Sequence, residues 1–127
     1  MKIAIGVGCR KNCASETIVA LVRRAIARAH CEGSAAALYS HQAKDLEPGL
    51  IEAAAKLEMP LVFLDPKLLD EAAPRAVTRS EKVIDMFGLP SIAETAALAG
   101  AGAGAELILA RISDSCASCA IAKERQS

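Results

Sequence analysis

The run Gly6-Val7-Gly8-Cys9-Arg10-Lys11 places two glycines, a thiol and two cations within six residues of this 127-residue chain. Glycines let backbone N–H groups approach a ligand, and a helix that follows such a loop presents its positive end to the same space. Arg10 and Lys11 add full charges, so the natural guest is an anion, either a carboxylate or a phosphate. A dinucleotide fingerprint needs a third glycine where Lys11 stands, and a Walker loop needs a glycine directly before the lysine. Neither motif is present, but the anion-attracting physics remains. Gly6, Gly8, Cys9, Arg10 and Lys11, with Ser15 at the start of the next helix, form a candidate ligand-binding loop. The plainer alternative is a tight strand-to-helix turn with two solvated cations.

A second charged cluster, Lys44-Asp45-Leu46-Glu47-Pro48-Gly49-Leu50, contains carboxylates that can act as general bases and a lysine that can polarise a carbonyl or clamp an anion. Acidic residues also favour helix starts, which accounts for Asp45 and Glu47 without catalysis but leaves Lys44 unexplained. Cys9 and Cys13 flank the first loop, where a helix N-terminus and cations would lower a thiol pKa. A Cys–His pair would have to recruit His30, at a helix end, or His41, on a polar loop. The alternative for Cys9 is packing as a small apolar residue. Cys116-x-x-Cys119 is half of a zinc pattern, completed on paper by Cys9 and Cys13. On a strand, however, positions three apart face opposite sides. Neither a metal nor a cofactor is therefore expected, and buried structural cysteines are.

The elements that must position these groups alternate. Residues 2–7 are a nearly continuous apolar run, as in a strand buried on both faces. Ser15 can cap a helix, with Glu16 in its first turn and Ile18, Val22, Ala25 and Ala29 at helical spacing; Gly33 is the expected stop. Ala35 to Tyr39 is a second strand and His41 to Glu47 a polar connection. Pro48 opens a second helix carrying Leu50, Ala53, Ala54 and Leu57. Leu61 to Leu64 is a third strand, and Asp65-Pro66 starts a short helix through Asp70. Pro74 to Val77 is a linker. Thr78-Arg79-Ser80-Glu81 and Ser91-Ile92-Ala93-Glu94 both match a capping box, with Gly88 and Gly100 as stops. Glu106 to Ile112 and Cys116 to Ala122 read as a hairpin around Ser113-Asp114-Ser115. The tail Lys123 to Ser127 is expected to fray.

This order predicts a three-layer α/β/α domain over residues 1–127, with a mixed, mostly parallel sheet and a C-terminal antiparallel hairpin. Ligands of such sheets gather at the carboxyl ends of the strands, so the loops after the first three strands are the expected site. Composition narrows the partners. Fifteen basic residues balance fifteen acidic ones, and aromatics are only 2%, which argues against nucleic acid as a ligand. No apolar run reaches the ~18 residues of a membrane span, and the N-terminus does not read as a signal peptide. Five cysteines, an odd number, fit a reducing cytoplasm better than a secreted disulfide framework.

Five segments together resemble the cobalamin-biosynthesis family that comprises CobE and the C-terminal domain of CbiG. They are Gly6-Val7-Gly8-Cys9-Arg10, Lys44-x-x-Glu47-Pro48-Gly49-Leu50, Ser80-Glu81-x-Val83, Gly88-x-x-Ser91-Ile92-Ala93-Glu94 and Ala120-Ile121-Ala122, in order over nearly the whole chain. The short length resembles the stand-alone branch. The resemblance implies an intracellular α/β/α domain serving corrin-ring assembly. Corrin intermediates carry acetate and propionate carboxylates around an apolar ring, and Arg10, Lys11, Lys44 and Arg79, with Ser91 at a helix start, suit such a guest. The first functional expectation is a carrier or accessory factor that binds a precorrin or hydrogenobyrinic acid type intermediate. The second is an enzyme that opens a precorrin lactone and releases acetaldehyde, with Lys44 or Arg10 polarising the carbonyl and Glu47 activating water. The third is a subunit that binds another cobalamin-pathway enzyme. For the cysteines, the expected outcome is that the purified protein holds no stoichiometric zinc. Elemental analysis finding one zinc per chain, lost in Cys116→Ser, would overturn both this expectation and the strand placement behind it.

Overall fold

The computed structural model describes residues 2–124. Strand β1 (Lys2–Cys9) is the centre of a five-stranded sheet. Helix α1 (Ser15–Arg28), strand β2 (Ala35–His41), helix α2 (Pro48–Leu57) and strand β3 (Leu61–Leu64) follow. Then come the helices α3 (Pro66–Ala72), α4 (Glu81–Phe87) and α5 (Ile92–Ala101), and the strands β4 (Glu106–Ser113) and β5 (Ala117–Lys123). The sheet order is β3-β2-β1-β5-β4. β2 runs parallel to both β1 and β3, and β5 runs antiparallel to β1 and β4. The expected mixed sheet with a closing hairpin is therefore present, although β5 inserts beside β1 and leaves β4 at the edge.

Alternation along β1 divides the interior. Ile3, Ile5, Val7 and Cys9 face α1 and α2, where Ile18, Leu21, Val22, Leu50 and Ala53 complete an aliphatic core with Cys119 and Ile121. Ala4, Gly6 and Gly8 face α5, an alanine-rich helix buried along nearly its whole length. No single helix among the described residues is long and apolar enough to cross a membrane; α4 and α5 together are apolar enough, but meet at 67°.

Small residues let α5 lie almost on the backbone of the sheet. A Cβ on Gly6 would land on the Ala93 carbonyl oxygen and 2.6 Å from the Ala97 nitrogen. On the same face of the sheet, Gly100 of α5 leaves room for the Tyr39 ring of β2, 2.5 Å from where its Cβ would stand. Gly100 thus lies within α5 instead of ending it, and Gly102, at φ 96°, is the residue at the break.

Several other element ends differ from expectation for local reasons. Ser15 is inside α1; Ala14 stands at the cap position, and the Ser15 hydroxyl accepts a hydrogen bond from Lys56 Nζ at 2.7 Å. α1 stops ahead of Gly33, because His30 takes the left-handed conformation at φ 54° and the Cys31 N–H turns back to the Ile26 carbonyl. β2 extends two residues past Tyr39, so His41 belongs to the strand. Ser80, not Thr78, caps α4 through the Val83 N–H. The tail beyond Glu124 lies outside the described residues.

Only half of the Ser91/Glu94 capping box forms. Ser91 Oγ accepts the Glu94 N–H at 3.2 Å, but the Glu94 side chain does not return to the cap. It runs into the interior, where its exposure is zero. One carboxylate oxygen accepts the N–H groups of Val77 and Thr78, both at 2.8 Å. The other accepts the Thr78 hydroxyl at 2.6 Å and the Arg111 N–H at 2.9 Å. Arg111 lies where the β4–β5 register shifts between Leu109 and Ile112, and its N–H is given to Glu94. Burial pushes the Glu94 pKa up, but the donors from Arg111, Thr78 and Val77 outweigh it, and the net direction is below the ordinary 4.5.

Two outcomes follow for stability. Gly6→Ala should cost about 3 kcal/mol or more, since a helix backbone must retreat. Gly8→Ala should cost less, because its nearest obstacle is the rotatable Ser118 hydroxyl at 2.9 Å; urea unfolding of the two variants compares them directly. Glu94→Gln should cost about 3 kcal/mol, because an amide NH2 would face donors. A depressed folded pKa contributes stability above the unfolded value and loses it as pH falls through the folded one. The wild type should therefore lose stability below about pH 4.5 more steeply than Glu94→Gln. Equal slopes in acid titrations followed by circular dichroism would contradict this assignment.

Candidate functional site

β1 ends at Cys9, and the chain turns through Arg10 to Ala14 into α1. Asn12, at φ 62°, supplies the left-handed step that lets this turn close. Two neighbours hold the turn in place. The Arg10 N–H donates to the Cys116 carbonyl at 2.8 Å, and Cys13 forms a disulfide with Cys116, with Cα atoms 5.7 Å apart. The first loop is thereby tied to the β4–β5 turn. Unpaired structural thiols were expected at both positions, and this pairing corrects that. Partners 103 residues apart leave no spacing signature, and the nearby Cys116-x-x-Cys119 pattern points to the wrong pair. Cys116 sits in the turn just before β5, while Cys119 is fully buried in the core with its thiol pushed up to about 12 by burial and, secondarily, by Cys31.

On the other side of the loop, the Asn12 N–H donates to Glu47 Oε2 at 3.1 Å. Glu47 is the residue before α2, and Pro48 occupies its first turn. A Cβ on Gly49 would collide with the Cys13 carbonyl, so the start of α2 packs directly on the loop. The start of α5 reaches the same edge from the other face, with Ile92 3.4 Å from where a Gly8 Cβ would be. The N-termini of α1, α2 and α5 therefore surround the carboxyl end of β1, and the loop places Arg10 and Lys11 there, both exposed.

Lys44 follows β2 in a short 3-10 turn, Gln42–Lys44, and its Nζ lies 5.8 Å from the centroid of the Phe87 ring at the end of α4, within cation–π range. Phe87 in turn meets the His41 imidazole, with ring centroids 5.0 Å apart. Arg79 is exposed on the segment beside the start of α5, fixed on one side by Thr78 on Glu94 and on the other by the Ser80 N–H donating to the Pro90 carbonyl. Among the described residues, none of Arg10, Lys11, Lys44 and Arg79 enters an ion pair.

The remaining sequence candidates have other occupations. Gly6 and Gly8 lie within β1, where their lack of a side chain admits α5. Ser15 is buried and engaged by Lys56, and Ser91 is buried as the cap of α5. Cys9 is buried and faces α1 and α2. Burial raises its pKa, while Lys44 lowers it and Glu47 raises it. This fits the expected packing of Cys9 as a small apolar residue and not the activated thiol, because the loop sends its cations outward and leaves the sulfur in the aliphatic core. Cys9 and His41 also lie on opposite faces of the sheet: Cys9 shares a face with Ile5, and His41 shares one with Tyr39. An open depression of about 270 Å³ between the starts of α1 and α2 touches Asn12, Ser15, Pro48 and Gly49. Glu16 and Glu52 also line it, which makes it a poor anion seat.

Phe87 carries no signal in the sequence, and His41 enters there only as a loop partner for a cysteine, not as a residue of this edge. The missed signal was strand length. Carrying β2 two residues past Tyr39 puts His41 on the same face as Tyr39.

Comparison with known proteins bears on the fold and the family. Residues 3–122 match the family described as cobalamin synthesis G C-terminus. Protein CobE from Sinorhizobium sp is 35% identical over 121 residues, which is 94% of this chain and 79% of that protein. The crystal structure of CobE, a protein from the cobalamin (vitamin B12) biosynthetic pathway, superimposes with a TM-score of 0.88 at 38% identity, covering 98% of this chain and 92% of that one. The cobalamin biosynthesis protein chiG from Agrobacterium tumefaciens str. C58 gives a TM-score of 0.74 at 36% identity, covering 98% and 99%. The chain belongs to the cobalamin synthesis G C-terminus family and is a protein of cobalamin biosynthesis.

Proposed function

We propose that this protein binds a corrin-ring intermediate of the precorrin or hydrogenobyrinic acid type, as a carrier or accessory factor in the cytoplasm. The observation that supports this reading is that Arg10 and Lys11 after β1, Lys44 after β2 and Arg79 beside the start of α5 are exposed or open-edge cations that enter no ion pair among the described residues. Peripheral carboxylates of the ligand would meet those cations and helix ends. Phe87 and the exposed Leu46 and Met86 offer apolar area to the macrocycle.

The same geometry favours binding over lactone hydrolysis. A hydrolase needs a positioned base. The Glu47 carboxylate accepts the Asn12 N–H and so holds the loop, and the Cys9 thiol is buried with a raised pKa. A carrier needs neither group for chemistry.

Titration with hydrogenobyrinic acid, followed by visible absorbance, tests the proposal. Arg10→Ala and Lys11→Ala should each weaken binding by about 1.5–3 kcal/mol at most, with little change in folding. Added salt should weaken the wild type more than the double variant. Equal affinity of the wild type and the double variant would remove this loop from the site. Incubation with a lactone-bearing precorrin should release no acetaldehyde. Turnover that disappears in Glu47→Gln, while binding persists, would establish the hydrolase instead.

A further inference from the structure

We propose that His41 is a ligand-binding residue of this site, presenting a neutral Nε2–H to a carboxylate or carbonyl oxygen on the periphery of the corrinoid; the inference rests on the corrinoid-binding reading above. His41 is only 8% exposed, at the end of β2. Its Nδ1 accepts the Ala43 N–H at 2.9 Å, which caps the short turn leading to Lys44. A ring nitrogen that accepts from an amide carries no proton, so in the neutral imidazole the proton resides on Nε2.

Nε2 has no hydrogen-bond partner among the described residues, and yet among them no buried side-chain nitrogen or oxygen is left unsatisfied. Nε2 therefore keeps some contact with solvent, although the residue as a whole is nearly buried. The ring is held in place from two directions, by the Ala43 N–H and by Phe87 at 5.0 Å. Phe87 also lies under Lys44 Nζ, so the fixed donor and the cation share one apolar support. Burial, and then Lys44, lower the His41 pKa, with Asp70 opposing them; the imidazole is thus neutral at physiological pH.

The tautomer also separates two ways of meeting a corrinoid. Coordination of a central cobalt through Nε2 needs a lone pair there, and the Ala43 contact leaves a proton instead. His41 should therefore contact the ring periphery, and removal of cobalt from the ligand should make no difference to that contact.

The test uses full-length protein labelled with 15N-histidine, which reports on both His30 and His41. The free protein should show His41 as the Nε2–H tautomer. Hydrogenobyrinic acid, which has no metal, should shift the His41 Nε2–H resonance and leave the exposed His30 unchanged. His41→Asn retains a side-chain oxygen to accept the Ala43 N–H but cannot place a donor as far out; it should bind roughly tenfold more weakly with an unchanged melting temperature. If that variant does not fold, the wild-type resonance shift decides the matter alone. Wild-type binding with an unmoved His41 resonance would overturn the assignment while leaving the corrinoid reading intact. A cobalt corrinoid whose visible spectrum changes on binding, and no longer does so in His41→Asn, would overturn it in favour of metal coordination. Absence of any binding to the wild type would overturn both readings.

Discussion

Glu94, near the start of α5, enters the core as a carboxylate whose partners are N–H and O–H groups drawn from two other parts of the chain: the segment at Val77 and Thr78, and strand β4. A charge buried without such donors would cost several kcal/mol. With them, an acceptor-only group becomes a template that only this arrangement of donors fits. The template fixes where α5 begins, and the beginning of α5 lies against Gly8 at the end of β1. It also anchors the stretch that carries Arg79 beside that helix start. The placing of cations and helix ends at this edge of the sheet thus depends on an enclosed carboxylate in the first turn of α5.

Much of the architecture is legible in the residues themselves. The apolar runs at β1 and β3, the proline starts of α2 and α3 and the Ser91 cap each follow from backbone chemistry acting over a few residues. What could not be read is what depends on distant partners. Glu94 satisfies the local capping pattern, yet its carboxylate answers to Val77, Thr78 and Arg111. Cys13 finds Cys116, though the nearer pattern joins Cys116 to Cys119. Gly6 and Gly8 resemble ligand-facing glycines, but a helix eighty-odd residues later needs the space. His41 was read as part of a loop because the strand signal weakens after Tyr39, and with it went a residue of the candidate site.

The proposed site also offers a way for a chain with no net charge to favour an anion. Two acidic groups near the carboxyl edge are committed to local work, Glu47 to the Asn12 amide and Glu94 to the interior, while Glu16 and Glu52 stand apart beside the starts of α1 and α2. The cations at that edge have no such commitments among the described residues. In the corrinoid-binding reading, those cations and the helix N-termini would attract an anion locally without any overall excess.

The bond between Cys13 and Cys116 has a topological consequence. It joins residues 103 apart, so that the stretch from the first loop to the β4–β5 turn becomes one covalent ring. β1 and β5, the first and last strands, are neighbours in the sheet, and bringing them together is the longest-range closure this fold requires. In a chain-entropy view, linking a loop of about 100 residues removes roughly 4.7 kcal/mol of disorder from the unfolded ensemble. An oxidised chain would thus begin its search with its most distant strands already close, whereas a reduced one would have to find that pairing by diffusion.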